Sequence, residues 1–180
     1  MRNILIALAA AVSVAVVAPG YAAMTKESYK STTQQIDATF KADKEQCKSL
    51  KGNAKDVCMA EAKAKQKTAK ADAEAEYKNT AKARADARMA RADAEYLVAK
   101  EKCDDLAGNK KDVCIKEAKA ARVSAKADAK VDKKVTEARN DARDDKRDAQ
   151  YKVAVEKCDS LSGDAKDRCV KDAKTRFGKS

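Results

Sequence analysis

The chain writes one short stretch three times: a cysteine, ten residues and a second cysteine, arranged around a single glycine. The copies run from Cys47 to Cys58 around Gly52, from Cys103 to Cys114 around Gly108, and from Cys158 to Cys169 around Gly163. All 6 cysteines of the 180 residues lie in these copies. Each copy has a leucine three residues after its first cysteine (Leu50, Leu106, Leu161). Each has Asn53, Asn109 or Asp164 directly after its glycine, and Asp56, Asp112 or Asp167 three residues later.

This pattern reads as a helix that stops and another that starts at once. Phe40, Tyr96 and Tyr151 stand seven residues before the first cysteines, and Ala99 and Ala154 stand four before in the second and third copies. With the cysteines and leucines they form an a/d seam on one helix face. The first copy has Asp43 in place of the alanine, so its seam is weaker. Gly52, Gly108 and Gly163 suit the left-handed residue that closes a helix, because glycine has no Cβ to clash there. Asn53, Asn109 and Asp164 suit the N-cap of the next helix, and the acidic residue three positions on completes something close to a capping box. Two antiparallel helices follow. The cysteines flank the turn at similar depth, within reach of the ~4.4–6.8 Å Cα separation a disulfide needs. Six cysteines allow many pairings, and spacing favours the local set Cys47–Cys58, Cys103–Cys114 and Cys158–Cys169.

Residues 1–23 read as a signal peptide, with a basic start at Arg2, an apolar run from Ile4 to Ala18 and a small-residue region ending at Ala22 and Ala23. The run is shorter than the ~20 residues of a membrane span. Export supplies the oxidising compartment in which paired cysteines become bridges, so a periplasmic or secreted location is expected.

The chain contains no histidine and no tryptophan; 38% of its residues are charged and 4% aromatic. Most of its apolar content is alanine, whose burial gains only about 0.8 kcal/mol per methyl-sized group. An ordinary globular core is therefore out of reach. Alanine, lysine, glutamate and arginine are strong helix formers, so the expected fold is all-α: elongated antiparallel helical hairpins of coiled-coil character, each turn stapled by a disulfide. The expected segments are the leader 1–23 and hairpin repeats over 24–79, 80–135 and 136–180.

Between the copies, alanine alternates with charged residues, as in Ala81-Lys-Ala-Arg-Ala-Asp-Ala-Arg88. Period two suggests a strand, but these residue types are poor strand formers, and helix is expected. Alternation spreads alanine around the helix and leaves its packing face weakly specified. The first arm spans Met24 to Lys51, and the last spans Ala165 to Phe177. The interval Ala54 to Ala107 lacks glycine and proline; as one helix it would span about 80 Å. Asn79-Thr80 and Thr136 are candidate breaks, yet neither carries a glycine, a proline or a capping box, so continuous helices are favoured over separate hairpins.

The residue inventory argues against catalysis. No histidine is present to activate a nucleophile, and no glycine-rich phosphate loop appears. The acidic residues are interleaved with lysines and are expected mainly in i,i+4 pairs. A ten-residue gap across a turn is a brace rather than the Cys-x-x-Cys of a redox centre or zinc site. No cofactor, metal or small-molecule substrate is expected. A net charge of +11 suits anionic partners such as envelope polymers, anionic lipids or nucleic acid, but charges of both signs are mixed throughout, and a solvated helical face is the favoured reading. Lys63, Lys65, Lys67 and Lys70 form the clearest one-sign run. Self-association through alanine-rich helices stays open.

The block Tyr96 to Cys114 and the closing Ala173-Lys-Thr-Arg-Phe177-Gly-Lys-Ser resemble a group of exported, Ala/Lys-rich proteobacterial helical repeat proteins often labelled TolA-like or cell-envelope-biogenesis proteins. The TolA label reflects a shared Ala/Lys/Glu-rich stalk, and no specific role carries over from it. The alternating stretches also resemble late-embryogenesis-abundant protective proteins, from which the stapled turns depart. The expected function is a structural or protective role in the envelope, exerted through the extended charged helical surface. The alternatives are an electrostatic binding module for anionic polymers and a thiol redox protein.

Overall fold

A computed structural model describes residues 24–179; the expected leader lies outside them. The described residues form five helices and no strand. These are α1 (Lys26–Cys47), α2 (Gly52–Lys78), α3 (Ala81–Cys103), α4 (Gly108–Cys158) and α5 (Gly163–Phe177). Each packs on its sequence neighbours alone, α1 on α2, α2 on α3, α3 on α4 and α4 on α5. The chain therefore zigzags as a layer one helix thick. α4, with 51 residues, spans about 76 Å. Its first half lies against α3 and its second half against α5.

The alternating alanines build this layer. In α3 the buried set is Ala83, Ala85, Ala87, Ala92 and Ala94. At 100° per residue, Ala83, Ala87 and Ala94 share one face, and Ala85 and Ala92 share the opposite one. Ala83 and Ala87 meet Ala75 and Ala71 of α2, which leaves Ala85 and Ala92 for α4. α2 divides the same way, with Ala62 and Ala73 on one face and Ala71 and Ala75 on the other. Alternation thus gives two alanine seams to a helix with two neighbours. The packing face expected to be weakly specified is in fact two specified faces. α4 has one neighbour at a time, and in it only Ala129 and Cys158 are buried while Val123 and Val131 lie open to solvent.

The two candidate breaks part ways. α2 ends with Asn79 in the left-handed region at φ 47°, and α3 begins with Thr80 as its N-cap, the hydroxyl accepting from the Ala83 N–H. The expected continuous helix from Ala54 to Ala107 is therefore folded in half. α4 runs unbroken through Thr136, so no break separates residue 135 from 136.

The first arm is shorter than expected. α1 starts behind Thr25, whose hydroxyl accepts from the Ser28 N–H, and ends at Cys47. Leu50, Leu106 and Leu161 consequently fall beyond the helix ends and stand 39–44% exposed instead of joining a seam. Gly52, Gly108 and Gly163, at φ +55° to +57°, open the second helices rather than closing the first. Asn53, Asn109 and Asp164 then lie inside the first turn, two residues past the N-cap. The N-cap positions Lys51, Ala107 and Ser162 make no side-chain cap bond.

Candidate functional site

The three stapled turns share one construction. Cys47 is bonded to Cys58, Cys103 to Cys114 and Cys158 to Cys169, with Cα separations of 5.6, 5.8 and 5.7 Å. Past the first cysteine the backbone tightens, and the N–H of Leu50, Leu106 or Leu161 donates to that cysteine's carbonyl at 3.0–3.2 Å. The glycine then turns the chain back. A Cβ added at any of the three glycines would meet no atom within 4 Å. The positive φ alone reserves these positions for glycine.

Ion pairs tune the copies. Lys111 reaches back across its turn to Asp104 at 2.9 Å, and Lys166 reaches Asp159 at 3.0 Å. Hydrogen bonding from Lys111 holds the Asp104 carboxyl below its usual range, and the same bond raises the Lys111 ammonium. In the first copy the matching position is Lys48, so no such pair forms, and Lys48 turns to Glu45 of its own helix at 2.7 Å. The signal in the sequence was an Asp directly after the first cysteine together with a Lys eight residues after it. Asn53 plays a different part. Its side-chain amide donates to the Glu101 carbonyl at 3.0 Å, tying the first turn to the end of α3 beside the second. Two staples thus sit side by side at one end of the layer, and the third closes the far end of α4.

Cys47, Cys103 and Cys158 are the largest fully buried side chains among the described residues. No described cysteine is free. The partners of the buried three, Cys58, Cys114 and Cys169, are half-buried. Among the described residues no cluster of side chains is placed to hold a metal ion. No described helix is long and apolar enough to cross a membrane. Three bridges fit an oxidising, exported environment.

Ionic contacts run mostly between helices rather than along them, contrary to the expected i,i+4 pattern. Lys70 meets Asp37 at 2.6 Å, Arg91 meets Asp72 at 2.9 Å and Lys102 meets Glu61 at 2.8 Å. Asp93 accepts from both Arg122 and Lys126 of α4. Partial burial opposes ionisation of Asp93, but these two hydrogen bonds outweigh it and hold the carboxyl below its ordinary range. Hydrogen bonds from Lys70 and Gln66 do the same for Asp37. Alanine seams slide easily because every layer looks alike, and these charge pairs fix their register. They also take up half of the lysine run, since Lys65 and Lys70 face carboxylates of α1.

A concavity of about 1110 Å³ opens where the start of α1, the α2–α3 turn and the middle of α4 meet. Arg84, Arg88 and Arg91 of α3 and Arg139 of α4 line it, together with the carboxylates of Asp72, Glu76 and Asp132. Comparison with known proteins gives no match to any family model, any curated protein or any solved structure.

Proposed function

We propose that the protein is a non-enzymatic, periplasmic helical spacer with a structural or protective role in the cell envelope. The observation that carries this reading is the placement of the staples. Each bridge locks a turn where two helices meet. A closed loop of this size contributes roughly 3 kcal/mol in the chain-entropy model, which offsets the small gain from burying alanine. The product is a thin charged strut, long for its mass, that holds its shape without the larger apolar core this composition cannot build.

The test is a deletion in the producing cell, with leakage of a periplasmic marker enzyme as the readout. Deletion should raise leakage; the wild-type gene should restore the barrier, and a variant lacking all six cysteines should not. An envelope that stays tight after deletion, under osmotic stress as well as in rich medium, would overturn the reading.

A further inference from the structure

Six arginines, drawn from two helices, fall on one line. Arg84, Arg88 and Arg91 are spaced four and three apart, so they share a face of α3, and all three line the large groove. Arg139 lines the same groove from α4. Arg143 and Arg147 follow it at intervals of four and continue its face along α4, past the start of α3. There the helix is bare, with every residue from 141 to 147 exposed. Arg88 is level with Asp132, to which it is paired, so the line from Arg88 to Arg147 runs about 22 Å at 1.5 Å per residue.

The charges on this line are incompletely answered. Arg88, Arg91 and Arg147 pair with Asp132, Asp72 and Asp144. Among the described residues Arg84 donates only to the neutral Asn79, and Arg143 only to the neutral Asn140. Arg139 forms no ion pair among the described residues. Asp141 and Asp145, two residues either side of Arg143, lie well over a quarter turn away and do not neutralise it. In the lysine run Lys65 and Lys70 face carboxylates, while Lys63 and Lys67 form no ion pair among the described residues and serve as the comparison.

We infer that this line is a binding track for a linear phosphate polyanion. Guanidinium groups grip phosphate oxygens in a bidentate fork, which an ammonium does not. Arginines three and four residues apart, with Cβ atoms about 5–6 Å from one another along each helix, suit a chain of phosphates better than a single anion. No aromatic side chain lines the groove. Bases would find no stacking platform there, which favours a chain without bases over single-stranded nucleic acid. The track is independent of the spacer role, since it uses none of the cysteines.

The test is fluorescence anisotropy with labelled inorganic polyphosphate and the full oxidised chain. One variant carries Arg84→Gln, Arg139→Gln and Arg143→Gln. Its charge-matched control carries Lys63→Gln, Lys67→Gln and Lys130→Gln, exposed sites with no ion pair among the described residues. The wild type should bind with an affinity that falls steeply as salt rises, and the arginine variant should bind at least about tenfold more weakly. The lysine control should stay within about threefold of wild type. Unchanged circular dichroism and three intact bridges in both variants separate this result from a failure of the brace. Equal losses in the two variants, or no binding at low salt, would overturn the track. So would orthophosphate competing as well as the polymer, a single-stranded oligonucleotide binding as tightly, or anionic phospholipid vesicles being held in preference. These last three point respectively to a single-anion site, a nucleic-acid site and a lipid headgroup site.

Discussion

The two halves of α4 sit in different surroundings. Its first half is the outer member of a four-helix layer, where α2 and α3 are sandwiched between neighbours and bury alanine on two faces. Its second half has only α5, a helix of 15 residues with a single buried residue, Ala173. The layer is held by repeated seams, registered by charge pairs such as Asp93 with Arg122 and Lys126. The far pair relies on the Cys158–Cys169 bridge, an edge contact between Tyr151 and Phe177, and the pair Lys179–Asp148. Between them α4 crosses residues 141–147 uncovered. The same repeated staple therefore does unequal work: in the layer it adds to packing, and at the far end it stands in for packing.

The sharpest way to break this contrast is to put a charge where each region has an alanine. Ala85 is 0% exposed, and Ala85→Glu buries an unpaired carboxylate. A loss of about 3–5 kcal/mol is expected, enough to unfold the layer. Ala142→Glu on the bare stretch should stay within about 0.5 kcal/mol of wild type. Thermal unfolding followed by circular dichroism checks both, and equal effects would erase the distinction.

Removing a staple comes next. Cys158→Ser with Cys169→Ser should cost roughly 3 kcal/mol locally and melt α5, with loss of its helical signal. Cys47→Ser with Cys58→Ser should leave α1 docked on α2 through Ala62, Ala73 and the stacked Tyr29–Tyr77 pair. Limited proteolysis reads the difference as early release of the C-terminal segment in the first variant only.

Smaller still is Gly108→Val, which forces a β-branched residue to φ +56° and should cost about 2 kcal/mol or somewhat more. Gly108→Asn should recover most of the loss, because asparagine tolerates the left-handed region. A valine variant with an unchanged melting temperature would remove the backbone argument.

Asp93→Asn should cost only about 1 kcal/mol, since it breaks two partly exposed charge pairs. The Asp93 carboxyl titrates lower in the folded chain than in the unfolded one, so its contribution is present above about pH 4 and fades as pH falls through the folded value. Wild type and Asp93→Asn should differ in melting temperature at pH 7 and converge near pH 2. A gap that persists in acid would assign the effect to packing instead of charge.

What the sequence made legible follows from how often a signal repeats. The stapled turns were readable because the same cysteines, glycine and leucine recur three times. The detail inside the turn was not, because Asn53 looks like a cap until the helix is seen to begin at Gly52, two residues before the start such a cap implies. The fold at Asn79-Thr80 was undervalued for want of a glycine, yet asparagine supplies the left-handed stop and threonine the N-cap of the next helix. Thr136 is preceded by Val135, which cannot make that stop, and α4 continues. Alternating alanine read as an unspecified face because one partner was assumed; with two partners the same residues define two seams. Pairing between helices, as in Arg91 with Asp72, depends on register and could not be read from spacing along one helix.

Hydrogen exchange of the full chain, oxidised and then reduced, tests most directly whether the staples do unequal work. Reduction should strip protection from α5 and the last turns of α4 while α2 and α3 keep theirs. Protection lost uniformly along the chain would contradict this, because the layer would then depend on its staples as much as the far pair does. Protection retained in α5 after reduction would contradict it equally.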